Sequence, residues 1–450
     1  MTVEDEISEF IVETSLDDIP DRTVEFTKHL LLKTVAGTLA GSRTPSGEMI
    51  LDYVGENGHD GSARVMGAGL ETSAEDAALA MGYFSHAAEL EDDQFPVAAS
   101  DITVITVVFA LADDLGLSGE RIVETTAVAM EVMNRVASFP VTHLGFTDLP
   151  FYGVIGAQAA AAKCHGFDRD RTKNMLGLGI AQSSGWRMNF GTAAHYWESA
   201  VPCQNAVSSA ELAKVGGDSN PDIESWLGAL LEEDIETDRI TRSLGDEWRV
   251  HETCIKKYPV CFLTHRQLDT LRELMASHEL SAENIESIET DVGPVDEVVD
   301  RPNPTSVDDA RFSLQHVLAI YVLNRNISYV DLQPDVVGDP AVESLRSKVD
   351  VTVHDDWPAE FNSGVPEVKI TTTDGDVIAG EREHLVGGPH EPLSEDEMGA
   401  LYTRIVTEYY DEPLLSEANI EETLSMVLNL EARDETAIDE LYELLTYETN

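Results

Sequence analysis

Three short stretches of this chain hold side chains that could do chemistry. In Ile255–Asp269, the adjacent Lys256 and Lys257 precede Tyr258-Pro259, and Cys261 and His265 follow on a helix-like pattern. A helix entered just after Pro259 would aim backbone N–H groups and its positive dipole end at whatever lies before it. With two ammonium groups beside it, such a place could hold an anionic small molecule. Two lysines on a solvated loop fit the same spacing.

In His86–Asp93, a histidine and four carboxylates (Glu89, Glu91, Asp92 and Asp93) crowd the end of a predicted helix. Crowding of that kind could raise one carboxyl pKa and make a general acid or base. Oxygen-rich ligands would also suit a divalent metal, and a solvated acidic turn reads the same way. The third stretch, Arg187-Met188-Asn189-Phe190-Gly191-Thr192 followed by His195, offers a basic group, a permissive backbone and an imidazole that could titrate near neutrality. There is no GxSxG, P-loop, dinucleotide fingerprint or HExxH, which argues against serine hydrolases, nucleotide enzymes, dehydrogenases and zinc proteases.

The elements that must position these groups are mostly helical. Residues 1–41 read as two helices broken at Asp17–Pro20, and residues 43–72 as Gly-rich and irregular. Ala-dense helical runs follow at 73–90, 101–137, 152–164, 172–183 and 200–215, with a turn-rich loop at 145–150. After a helix at 262–276 the pattern changes. Residues 285–292, 348–353 and 367–372 alternate as strands, the last leading into a hairpin turn at Thr373-Asp374-Gly375-Asp376, with a helix at 311–324 between them. Residues 394–447 return to amphipathic helices.

At 450 residues, two domains are the default. The charge is extreme: 84 acidic against 29 basic residues, a net −55, spread along nearly the whole length. Hydrophobic content of 42% still permits a sizeable core. An even acidic surface suits a very salty cytoplasm, where the Debye length falls to roughly 3 Å at 1 M. It argues against nucleic acid or an anionic membrane as partner. Cys164, Cys203, Cys254 and Cys261 form no CxxC pair and read as buried thiols. With no leader-like N-terminus and no run of 18 apolar residues, the expectation is a cytoplasmic protein.

Taken in order, six blocks resemble the MmgE/PrpD family, which includes 2-methylcitrate dehydratase of propionate metabolism, cis-aconitate decarboxylase and an iminodisuccinate epimerase. They are Ile19-Pro20 with Leu31–Gly41, His86–Asp92, Gly191-Thr192 with the helix beyond, Lys256–Cys261 with His265, Arg311–Leu314, and Gly387–Leu393. Within them, Glu89 and Glu91 stand where the family has Asp, Asp93 where Thr is usual, and Ala99 and Thr147 at histidine positions. His195 stands at a lysine position, Glu198 at a histidine position and His316 where Tyr is frequent. Lys256 and His265 match.

The resemblance implies a mostly α fold: a large all-helical domain from residues 1–258 and 394–450, with an inserted α+β lid at 259–393, as a homodimer. It implies a cleft between the domains that acts on a small di- or tricarboxylate without metal or cofactor. Proton abstraction α to a carboxylate would be followed by elimination, as in 2-methylcitrate dehydratase. Lys256, His195, Glu89, Asp92 and His265 are the expected catalytic groups. Lys257, Asp93, Arg187, Asn189, His86 and His316 would bind substrate. An epimerase or isomerase of a smaller dicarboxylate or imino acid, or a metabolite-binding homologue without turnover, are the alternatives.

Overall fold

A computed structural model describes residues 1–95, 97–232 and 234–445. The fold is mostly α, with a smaller α+β region, and it divides into two compact units. The first comprises residues 1–253, 395–406 and the described residues from 414 onward; the second comprises 254–394 and 407–413.

The first unit opens with α1 (Val3–Glu13), α2 (Asp21–Ser42), α3 (Pro45–Asn57) and α4 (Ala74–Ala87). It continues through α5 (Ile102–Leu115), α6 (Gly119–Val136), α7 (Asp148–Cys164), α8 (Arg169–Ile180), α9 (Ala193–Lys214), α10 (Ile223–Leu231) and α11 (Asp238–Thr241). Its centre is set by helices without a polar face. α7 is buried along its whole length and α5 from Ile102 to Ala112, which is how an interior helix reads. Small residues bring neighbouring backbones together. A Cβ on Gly41 of α2 would sit 1.7 Å from the Phe84 carbonyl oxygen of α4. One on Gly82 of α4 would sit 2.8 Å from Cys203 Sγ and 3.2 Å from Ala200 Cα of α9.

The second unit carries α12 (His265–Ser277), α13 (Val307–Arg311), α14 (Leu314–Asn324), α15 (Pro334–Val337) and α16 (Pro340–Arg346) with a four-stranded sheet. The strand Ile285–Val292 lies between Val349–Val353, to which it is parallel, and Glu367–Thr372, to which it is antiparallel; Val377–Glu381 completes the edge. Ile288 sits opposite both Val349 and Ile370, so its apolar side faces the helices of this unit. The chain ends with α17 (Glu395–Glu408), α18 (Glu417–Val427) and α19 (Ala437–Leu445). Positions 446 and 447 of the expected C-terminal helical stretch lie outside the described residues.

Several local expectations are corrected. Residues 43–72 are not simply irregular: they form α3 and a short hairpin pairing Ala63–Val65 with Leu70–Thr72. Thr44 caps α3 by accepting from the Gly47 N–H at 2.9 Å, and Pro45 occupies the first turn, where its missing N–H costs nothing. Glycine in this helix is a packing choice, since a Cβ on Gly47 would meet the Gly41 carbonyl at 2.0 Å. The helix expected from 200 begins at Ala193 and carries Pro202 in its interior. Asp148 already belongs to α7, so the turn-rich loop is shorter than 145–150. The helix expected just after Pro259 starts later, with a 3-10 turn at Phe262–Thr264 and α12 from His265.

Candidate active site

In the first unit, α4 ends at Ala87 and the chain turns sharply. Glu89 adopts a left-handed backbone conformation (φ 56°), unusual for a residue with a side chain. The turn folds Glu91, Asp92 and Asp93 back inside, where all are buried, and Asp93 pairs with Ser100 across a short antiparallel bridge. Lys33 of α2 donates to the Leu90 carbonyl at 2.5 Å and lies 3.4 Å from Asp92 Oδ1. Asp101 and Asp92 exchange backbone contacts: the Asp92 N–H donates to Asp101 Oδ1 at 3.0 Å, and the Asp101 N–H to the Asp92 carbonyl at 3.1 Å. Burial, reinforced by the neighbouring Asp92 charge, pushes the Asp101 carboxyl well above the ordinary range.

His86, one residue before the end of α4, is fully buried. Its ring meets that of His195 edge to face with centroids 4.3 Å apart, and its Nε2 lies 4.0 Å from Glu91 Oε1. Ligand atoms of His86, Glu89 and Glu91 all fall within 4.8 Å of one another, a set a divalent ion could bridge. His195 sits in the first turn of α9, under the ring of Phe190 at 4.6 Å. Glu89 and His195, two of the expected catalytic groups, therefore share one buried neighbourhood with His86 and Glu91, while Asp92 meets Lys33 and Asp101.

Arg187 and Asn189 lie on the loop that leads into α9, and that loop is tied down twice. The Arg187 N–H donates to the Gly145 carbonyl at 3.1 Å, while Trp186 stacks on Phe146 at 4.7 Å. Glu198, three residues beyond His195, accepts from the Trp186 N–H at 3.2 Å and from Asn189 Nδ2 at 2.6 Å. Asn189 thus orders the loop through Glu198. Desolvation raises the Glu198 carboxyl. Nearby, Asp148 at the start of α7 accepts from the Val141 N–H and the Thr142 hydroxyl, and burial lifts it to about 6.

In the second unit, Lys256 is fully buried with its ammonium over the Phe262 ring at 5.7 Å, a cation–π distance. The segment beside it is fixed by Gly387, whose carbonyl accepts from the Ile255 N–H at 2.8 Å. A Cβ there would stand 2.9 Å from the Ile255 oxygen, and its φ of 95° favours glycine. His265 opens α12 with Nδ1 3.3 Å from the Cys261 carbonyl, so Nδ1 carries the proton. Lys257 turns to Asp269, with Nζ 2.5 and 2.7 Å from its two oxygens. His316 of α14 has Nε2 3.2 Å from the Asp331 carbonyl and Nδ1 3.4 Å from Arg346, and burial pulls its pKa down to about 4. All four cysteines are buried thiols outside any disulfide.

The first 225 residues match the MmgE/PrpD N-terminal domain over 5–225, and the MmgE/PrpD C-terminal domain matches 258–426. The chain belongs to the MmgE/PrpD family. Its curated relatives include the cis-aconitate decarboxylase of Homo sapiens, 23% identical over 443 residues and spanning 93% of this chain and 90% of the relative. The cis-aconitate decarboxylase of Aspergillus terreus is 22% identical and covers 98% of this chain and 96% of its own length. That of Mus musculus is 24% identical over 72% of this chain and 70% of its own. The match places the chain in a lyase-type family. No helix among the described residues is long and apolar enough to cross a membrane.

Sequence reasoning pointed to most of these groups, but not to Ser199, whose Oγ lies 2.6 Å from His86 Nδ1, to Lys33, although it falls within the first family block, or to Asp101. Ser199 lies four residues after His195, one helical turn along the same face, and that spacing was the available signal. Neither Lys33 nor Asp101 carried a spacing signal, because only the tertiary fold brings them to the acidic turn.

Proposed function

We propose that this protein is a cofactor-independent, homodimeric cytoplasmic lyase acting on a small di- or tricarboxylate by proton chemistry next to a carboxylate. The observation that carries the reading is the buried His86–His195 pair beside Glu91, in a chain matched by one lyase-type family along most of its length. Lys256, His195, Glu89, Asp92 and His265 are assigned the catalytic roles; Lys257, Asp93, Arg187, Asn189, His86 and His316 are assigned to substrate. In the elimination form, a base takes the proton α to a carboxylate and the electron pair enters that carboxylate. The β-hydroxyl then leaves as water with a proton from an acid. In the decarboxylation form, which the relatives' names favour, a C–C bond breaks to release CO2, and an acid protonates the carbon that receives the electron pair.

The test is turnover by the purified protein in molar KCl with cis-aconitate, 2-methylcitrate and citrate. CO2 release from cis-aconitate identifies the decarboxylase, and a rise in double-bond absorbance from 2-methylcitrate or citrate identifies the hydro-lyase. Solvent deuterium entering substrate with no net loss of water or CO2 would make it an isomerase. No reaction with any of the three refutes the lyase reading for these acids. Light scattering on the eluted protein checks the dimer.

A further inference from the structure

The hydrogen-bond arithmetic around His86 fixes its protonation state more closely than the sequence could. Ser199 on α9 has one hydroxyl proton and is fully buried. Its Oγ lies 2.8 Å from the Tyr196 carbonyl of the preceding helical turn, and a carbonyl can only accept, so the proton points there. The same Oγ lies 2.6 Å from His86 Nδ1. With its proton committed, Ser199 can only accept at that contact, so Nδ1–H donates. The close crossing of α4 and α9 makes the contact possible. Gly82, one turn before His86, packs against Ala200 and against Cys203, one turn after Ser199, at distances where a side chain would force the helices apart.

The other ring nitrogen faces a carboxylate. Nε2 is 4.0 Å from Glu91 Oε1, too long for a hydrogen bond but close enough for an imidazolium formed there to be stabilised. The edge-to-face contact with His195 at 4.3 Å supports the ring orientation from another side.

We propose that Ser199 is a positioning residue that locks His86 in the Nδ1–H tautomer, so that Nε2 presents its lone pair as a proton acceptor beside Glu91. The arrangement follows the logic by which a second hydrogen bond chooses which imidazole nitrogen is available for chemistry. The acceptor role rests on the lyase reading above, whereas the tautomer does not.

The experiment reads the two separately. In two-bond 15N–1H correlation spectra of the full-length protein, His86 is assigned by the cross-peaks lost in His86→Gln. The expected pattern is protonated Nδ1 with unprotonated Nε2 in the wild type, retained in Ser199→Thr and redistributed toward Nε2–H in Ser199→Ala. On whichever acid the protein turns over, Ser199→Ala should lower kcat about tenfold, as for one lost buried hydrogen bond, with KM within about twofold; it should also shift the acidic limb of the pH profile, where a general base is lost to protonation, and Ser199→Thr should restore both. A wild-type His86 protonated on Nε2 at neutral pH overturns the proposal. So does Ser199→Ala with an unchanged 15N pattern. The expected spectra in a protein that turns over none of the acids would uphold the lock and sink only the lyase reading.

Discussion

Lys257 is assigned to substrate, yet its ion pair with Asp269 also fits a structural role, and the two roles separate by measurement. Its ammonium contacts both oxygens of Asp269 at 2.5 and 2.7 Å, with the two side chains 8% and 1% exposed. Asp269 also accepts from the Val386 N–H at 2.9 Å. Burial lowers Lys257 to about 8 while Asp269 pulls the other way, so the ammonium stays mostly charged at pH 7. Lys257→Met would leave the buried Asp269 carboxylate with only the longer Arg272 contact at 3.8 Å, at a cost of about 3–5 kcal/mol. Converting both, with Lys257→Met and Asp269→Leu, removes the stranded charge and should recover most of that loss. The Val386 N–H would still lack its acceptor, so about 1–3 kcal/mol should remain. The assay is denaturant unfolding followed by hydrogen exchange in peptides from 258–278, because a two-unit chain need not unfold in one step. The pH dependence has a definite sign. The folded state releases this proton earlier than the unfolded one, so the group's contribution rises with pH between about 8 and the ordinary 10.5. Lys257→Met with unchanged stability and weakened substrate binding would refute the structural role and make Lys257 a ligand group.

Asp101, whose carboxyl is held well above its ordinary 3.8, contributes stability that is fully present below that value and lost as pH rises through the raised one; Asp101→Asn should flatten this part of the Tm profile above pH 3.8, and an unchanged slope would count against it. Glu198→Ala should release the Trp186 N–H and the Asn189 amide together, loosening the loop by about 1–3 kcal/mol as hydrogen exchange across 186–191, with Glu198→Gln close to wild type. With a net charge of −55, the unfolding midpoint should climb steeply from low to molar KCl, and an equal gain from uncharged sucrose would show that charge screening is not the cause.

The helical character was legible because this chain buries helices on all sides, and Ala-dense runs such as Ala157–Ala162 leave little else to form. The strands Ile285–Val292 and Glu367–Thr372 were legible for the opposite reason: one face of each is covered, so the residues alternate. Residues 45–57 were missed because Gly47 and Gly55 look like loop residues; Gly47 is a glycine only because Gly41 lies against it. The start of α12 was misplaced because Pro259 punctuates the chain without beginning the helix. At the site, residue type marked His86, Glu89 and His195, which the fold gathers with Glu91. It could not show that Lys257 is answered by Asp269, or that His316 sits on Asp331 and Arg346, since those partners come from other elements.

The same limit explains why the paired imidazoles matter more than either alone. At 4.3 Å between ring centroids, two imidazolium charges would repel by about 4 kcal/mol at an effective dielectric near 20. On the lyase reading, a proton taken from substrate would land on His86 Nε2, where Glu91, 4.0 Å away, would stabilise it. Such a pair can give a proton from one ring while the other stays neutral, which is what chemistry that moves a proton onto or off a carbon needs from its acid and base. Two fixed ammonium groups in the same place would neutralise carboxylates better but could not divide the work in this way. On the lyase reading, a histidine at 195 would trade a fixed charge for a group able to transfer a proton, beside a His86 whose Nε2 lies 4.0 Å from Glu91.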